Sequence, residues 1–138
     1  MSARLEAINI TCRDHAASGA RWAEILGLEP EGDITSANDF ITYRIPGTKV
    51  YFAFQPLDNG EVGDTFVPRI HLDAVASGNT REQELENLLA RGMTLVVDAR
   101  TADGAGWFTV EDVDGTQICV GRSDEERAAA KTAREGSA

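Results

Sequence analysis

Asp114-Gly115-Thr116-Gln117-Ile118-Cys119-Val120 repeats the pattern of Pro46-Gly47-Thr48-Lys49-Val50-Tyr51-Phe52, and that pairing decides the fold. In both stretches a Gly-Thr turn opens a strand whose apolar residues fall in the same phase. The elements before each turn also match in order. Leu5 to Cys12 alternates, with Ile8, Ile10 and Cys12 on one face and Ala7, Asn9 and Thr11 on the other, which predicts a half-buried strand. Asp14 then caps a helix through Ala20, Trp22, Ile25 and Leu26 that Gly27 ends. Strands are predicted over 29–33, 39–45 and 50–55. The second half starts with an alternating strand over 69–74, followed by a helix capped by Asn79 or Thr80. Leu85, Leu88 and Leu89 form its apolar stripe and Gly92 its stop. Strands over 93–97, 107–111 and 117–120 complete it.

Counting back from Gly27 and Gly92 brings Ala7 and His71 close to one position, given a short insertion around 76–78. Two independent anchors favour a duplication over a chance likeness of short strands. The predicted fold class is α+β, with two βαβββ modules at 4–56 and 67–122 in one domain, 1–123. The segment 56–66 is a polar connection. The tail, 124–138, is rich in Ala, Glu and Arg and could be helical, although it has no convincing apolar stripe.

Composition bounds the partners. The 138 residues are 42% hydrophobic and 26% charged, as in an ordinary globular domain. Thirteen basic residues against 23 acidic ones give a net charge of −10, which disfavours nucleic acid and anionic membrane as partners. The tail holds four acids and three bases, so the acidity belongs to the folded part. Met1-Ser2-Ala3-Arg4 leads directly into alternating residues and no apolar run is long enough to span a bilayer. Two cysteines suggest no disulfide framework, so a reducing, cytoplasmic setting is expected. Asp112-Val113-Asp114-Gly115 lacks the later carboxylate of a calcium loop and is predicted to be a tight turn. There is no phosphate loop, nucleophile elbow, CxxC or HExxH.

Several motifs resemble those of the vicinal oxygen chelate superfamily, which contains glyoxalase, bleomycin-resistance and extradiol-dioxygenase relatives. Arg13-Asp14 with Trp22-Ala23-Glu24-Ile25-Leu26-Gly27-Leu28 is similar to its "RD…FYxxxLGL" opening. Ile70-His71-Leu72-Asp73 and Leu89-Ala90-Arg91-Gly92 follow in the expected order. Trp107-Phe108-Thr109-Val110 through Thr116 is similar to its "DPDGN" turn. The nearest flavour is the glyoxalase-like domain group. The resemblance implies paired modules that form a cleft, one sheet face lying under helices and the other lining the cleft. It also implies four metal-ligand positions, which here hold Ala7, Tyr51, His71 and Cys119. An alanine side chain offers no donor and tyrosine is an uncommon ligand. His71 and Cys119 suit zinc but fall short of its usual count. The family's usual metal site is therefore not expected, and no cofactor is assigned.

The apolar phase assigns Ile8, Ile10, Val50, Phe52, Phe54, Ile70, Leu72, Phe108, Val110, Ile118 and Val120 to the helix side. The opposite face supplies the candidate ligand-binding residues Asn9, Tyr51, Gln55, Arg69, His71, Gln117 and Cys119, together with Trp107. The plainer alternative is a solvent-facing polar sheet. His71, with Asp73 two residues away, and Glu111 are the candidate catalytic groups. Cys119 reads more readily as an inert cysteine, Trp22 as core and His15 as exposed. The leading expectation is a protein that holds a small organic molecule in the cleft. The alternatives are a non-metal isomerase, lyase or cyclase using His71, or a divergent metal-dependent lyase or dioxygenase in which His71 and Cys119 recruit Asp73 or Glu111. Catalysis itself stays open, and a homodimer is compatible with the resemblance.

Overall fold

The computed structural model describes residues 1–32, 39–57 and 69–136. Its elements follow the predicted order: β1 (Ala3–Cys12), α1 (His15–Leu26), β2 (Glu29–Glu31), β3 (Ile41–Arg44) and β4 (Tyr51–Pro56), then β5 (Arg69–Ala76), α2 (Arg81–Ala90), β6 (Thr94–Asp98), β7 (Phe108–Glu111) and β8 (Gln117–Gly121), closed by α3 (Asp124–Gly136). Part of the predicted 29–33 strand and most of the connection 56–66 lie outside the described residues. No described helix is long and apolar enough to cross a membrane.

The chain divides into two compact units, Glu6–Leu72 and Asp73–Ala138 with Met1–Leu5. In the first, the strands run in the order β2-β3-β4-β1, and β1 pairs parallel with β4. In the second the order is β6-β7-β8-β5, the same arrangement with every strand advanced by four. The turns match as well. Gly47 and Gly115 both adopt positive φ, 76° and 83°, at equivalent positions before β4 and β8. Only glycine takes that backbone conformation without strain.

Local chemistry sets the helix ends. The Asp14 side chain accepts from the Ala17 amide, and Gly27 at φ 66° closes α1. Thr80 caps α2 in a reciprocal capping box with Gln83. The Asp112 carboxylate accepts from the amides of Asp114 and Thr116, so it serves the predicted turn.

Each unit has its own core. Cys12, Ile41, Tyr43 and Phe54 form the first, with Ile10, Ala16, Ala23, Leu28 and Phe52 packed against it. The Tyr43 and Phe54 rings meet edge to face with centroids 6.1 Å apart. Leu85, Phe108, Val110 and Val120 form the second, with Leu88, Met93 and Ile118 around it.

Four expectations are corrected. Trp22 is 42% exposed, because α1 turns its small residues Ala16, Gly19 and Ala23 to the sheet. His15, on that inward side, is buried rather than exposed. Ile70 is 63% exposed; it sits at the first residues of β5, where Arg69 is exposed too. Leu89 lies outward on α2, which packs through Leu85 and Leu88.

Two buried charges brace the second unit. Glu84, fully buried, accepts from Ser2 Oγ (2.9 Å), Asn79 Nδ2 (2.7 Å) and Asn87 Nδ2 (3.1 Å). Arg81, 4% exposed, donates through Nη1 to the carbonyls of Gly104, Ala105 and Gly106 and pairs with Glu82. Both satisfy the rule that a buried charge keeps its hydrogen bonds.

Gly19, with no Cβ, lets α1 lie close against the sheet. A Cβ there would meet Tyr43 Cε2 at 2.9 Å and Phe54 Cδ2 at 3.2 Å. Gly19→Val should destabilise the protein by about 1–3 kcal/mol, the usual cost of overpacking. Urea denaturation measures it, and an unchanged midpoint would contradict this packing.

Candidate functional site

The candidate face follows from what the other face buries. Phe108, Val110 and Val120 are fully buried in the second core. Side chains alternate along a strand, so Thr109, Glu111, Gln117 and Cys119 point the other way. Within the β7–β8 hairpin Thr109 lies opposite Cys119 and Glu111 opposite Gln117. Thr109 Oγ1 and Cys119 Sγ are in hydrogen-bond contact at 3.2 Å.

β5 is a continuous strand that carries His71 and Asp73 two residues apart, hence on one face. One donor atom from each of His71, Asp73 and Cys119 lies within 4.8 Å of the others, and all three residues are half-buried. This is the only such group of three His, Cys, Asp or Glu residues among the described residues.

The structure thus brings together two of the three candidate catalytic residues, His71 and Asp73. Glu111 is not in the group. It stands one pleat repeat beyond Thr109, about 6–7 Å along β7. The other candidates are distributed as follows. Cys119 belongs to the group, while Gln117 is exposed farther along β8. Trp107, 48% exposed, precedes β7, and Arg69 is exposed at the start of β5.

In the first unit Ala7 is the register partner of Tyr51, Asn9 of Ala53 and Thr11 of Gln55. Gln55 Nε2 donates to Thr11 Oγ1 at 3.1 Å, so its amide is engaged within the sheet. Asn9 is 2% exposed and Ala7 1%, while Tyr51 is half-buried. Of the four ligand positions implied by the resemblance, Ala7 is a buried methyl with no donor, so a four-ligand set does not fit. His71 and Cys119 gain Asp73 as a third donor, and three protein ligands with an open position match the count of a catalytic zinc site.

Sequence reasoning missed the buried Arg81. Arginine after a threonine cap reads as a solvated first-turn residue, and only the three carbonyls of 104–106 show why it is inside.

The two cysteines differ in environment. Burial pushes the Cys12 thiol above its ordinary pKa; a hydrogen bond with Ser18 opposes this and the Asp14 carboxylate adds to it. Cys12 is 5% exposed, whereas Cys119 is half-buried. With a chelator present, iodoacetamide should therefore label Cys119 several-fold faster than Cys12. Peptide mass spectrometry reads the two rates, and faster labelling of Cys12 would contradict the placement.

A family model described as a glyoxalase-like domain matches residues 7–121. Among curated proteins none matches the chain. Among solved structures, the methylmalonyl-CoA epimerase of Mycobacterium tuberculosis superposes with a TM-score of 0.63 at 17% identity, covering 91% of this chain and 91% of that one. The hypothetical protein BH1468 of Bacillus halodurans gives a TM-score of 0.63 at 14% identity, covering 90% and 98%. A glyoxalase/bleomycin resistance protein/dioxygenase superfamily member from Vibrio splendidus gives 0.54 at 14%, covering 86% and 97%. At these identities the likeness shows the fold alone.

Proposed function

Since the chain belongs to the glyoxalase-like domain family, we propose that it binds a small organic molecule on the sheet face carrying His71, with the His71–Asp73–Cys119 group as the polar centre of the site. One observation carries the reading. Three side chains of different chemistry converge within 4.8 Å while staying half-buried, open enough for a ligand to approach. A purely solvent-facing sheet has no need to gather an imidazole, a carboxylate and a thiol in one place.

The chemistry available there is proton transfer and hydrogen bonding. The imidazole of His71 carries two ring nitrogens, one a donor and one an acceptor when neutral, so it can donate to a bound carbonyl or accept from a bound hydroxyl. Asp73, on the same face of the same strand, is positioned to orient the imidazole. Trp107, near the start of β7 and half exposed, offers a ring for stacking on a planar ligand. The net charge of −10 favours a neutral or cationic ligand over a polyanion. Acid–base turnover by His71 is the catalytic form of this proposal, and sequestration without turnover its simpler form. The fold likeness to methylmalonyl-CoA epimerase supports a small-molecule site in general terms and assigns no substrate. Cytoplasmic residence and a homodimer belong to the same proposal.

A thermal-shift screen of aromatic metabolites and antibiotics tests it. Compounds that raise the Tm of the wild type should lose most of that shift in His71→Ala, with His71→Ala itself folded by circular dichroism. Hits whose shifts persist unchanged in His71→Ala would place binding elsewhere and overturn the proposal.

A further inference from the structure

A pocket of about 530 Å³ lies within the second unit and shares no residue with the His71 group. Arg81, Glu82, Thr101, Arg122, Glu126 and Ala129 are among the residues that line it. Hydrogen bonds within the fold hold its walls. Arg81 Nη1 fixes the loop between β6 and β7 through the carbonyls of Gly104, Ala105 and Gly106. The Thr101 amide closes the same loop on the Ala105 carbonyl at 3.0 Å. On the α3 side, Glu126 Oε2 accepts from the Ser123 amide (2.8 Å) and the Arg81 amide (2.9 Å), which ties the start of α3 to the start of α2. The first amide of α2 is thereby engaged, so the pocket offers side chains rather than a helix end.

We propose that this pocket binds a small neutral amino acid, its carboxylate on Arg122 and its ammonium on the unengaged carboxylate oxygens of Glu82 and Glu126. The inventory of polar atoms carries the inference. The Arg122 guanidinium is half-buried, and a Cβ on Gly104 would stand 3.9 Å from its Nη1. Among the described residues no hydrogen bond or ion pair engages it. It acts on the Asp103 carboxylate through space, and that carboxylate already accepts from Thr101 Oγ1 and the Ala105 amide. A guanidinium presents paired N–H donors that match a carboxylate. Glu82 spends Oε1 on Arg81, and Glu126 spends Oε2 on the two amides, which leaves one acceptor oxygen on each. Thr101 gives its hydroxyl proton to Asp103, so toward a ligand it can only accept. One paired donor with acceptors on Glu82, Glu126 and Thr101 suits one carboxylate and one ammonium with three N–H groups. A simple anion would face two carboxylates, and a simple amine would leave the arginine unpaired. The net charge of −10 points the same way, since a zwitterion brings no net charge to an acidic protein.

The test is isothermal titration calorimetry of the full-length protein with L-alanine, L-serine and L-glutamine, beside propionate and ethylamine as half-ligands. At least one amino acid should bind with one equivalent, and both half-ligands at least about tenfold more weakly. Arg122→Gln should weaken that binding at least about tenfold, the loss expected when a charge-assisted pair is removed. Ala129→Phe places a ring in the pocket from an exposed helix position, so it should abolish binding and leave the circular dichroism spectrum unchanged. His71→Ala should bind the amino acid as the wild type does. Absence of binding by all three amino acids, equal binding of propionate, or unchanged affinity in Arg122→Gln or Ala129→Phe would overturn the site. Loss of amino-acid binding in His71→Ala would move it to the sheet face and overturn it as well. Compounds from the thermal-shift screen depend on His71 and these amino acids do not, so the two proposals fail separately.

Discussion

The candidate chemistry depends on strand phase in the second unit. Phe108, Val110 and Val120 are fully buried, each stabilising by roughly 1.5–3 kcal/mol. Slipping either strand of the β7–β8 hairpin by one residue would turn these side chains outward and Cys119 and Thr109 inward. The register that places Thr109 opposite Cys119 is therefore enforced by the apolar face, although both residues lie on the other one. The polar group is positioned by what lies behind it.

The repeated strand order explains how the two halves can share a scaffold and differ in chemistry. The turn glycines, the helix caps and the strand order are common to both because backbone geometry demands them. Residues on the outward-turned face carry no such demand. On β1 and β4 that face is small and buried at Ala7 and Ala53, with Gln55 bonded to Thr11 inside the sheet. On β5 and β8 the corresponding face carries imidazole, carboxylate and thiol. Divergence on that face leaves the cores untouched, since each core is built from the opposite phase.

Much of this was legible in the chain because strands announce themselves by a period of two and turns by glycine. The order of the elements follows from those signals alone, and so does the shared face of His71 and Asp73. Helix orientation was less legible. Trp22, Ile25 and Leu26 form an apolar stripe by spacing, yet all three are largely exposed while Gly19 and His15 face the sheet. Hydrophobicity favours the large residues, but the space above the Tyr43 and Phe54 rings admits only a small one. Steric fit in the fold overrides the pattern, and no local signal reports it. Cys119 shows a second limit. The residues that stand near its thiol, Thr109 and Asp73, lie 10 and 46 positions away in the chain, so its sequence neighbours do not report them.

The place of Asp73 follows from the same strand geometry. On β5 it shares a face with His71 because the interval is two, and it lies near Cys119 because β5 and β8 are neighbours in the sheet. A carboxylate one residue earlier or later would point toward the helices and be costly to bury. Asp73 can thus join the group without any departure from regular strand structure. The same strand arrangement thus carries a methyl and a phenol at Ala7 and Tyr51 on β1 and β4 and a polar centre on β5 and β8, the difference lying in side-chain identity alone.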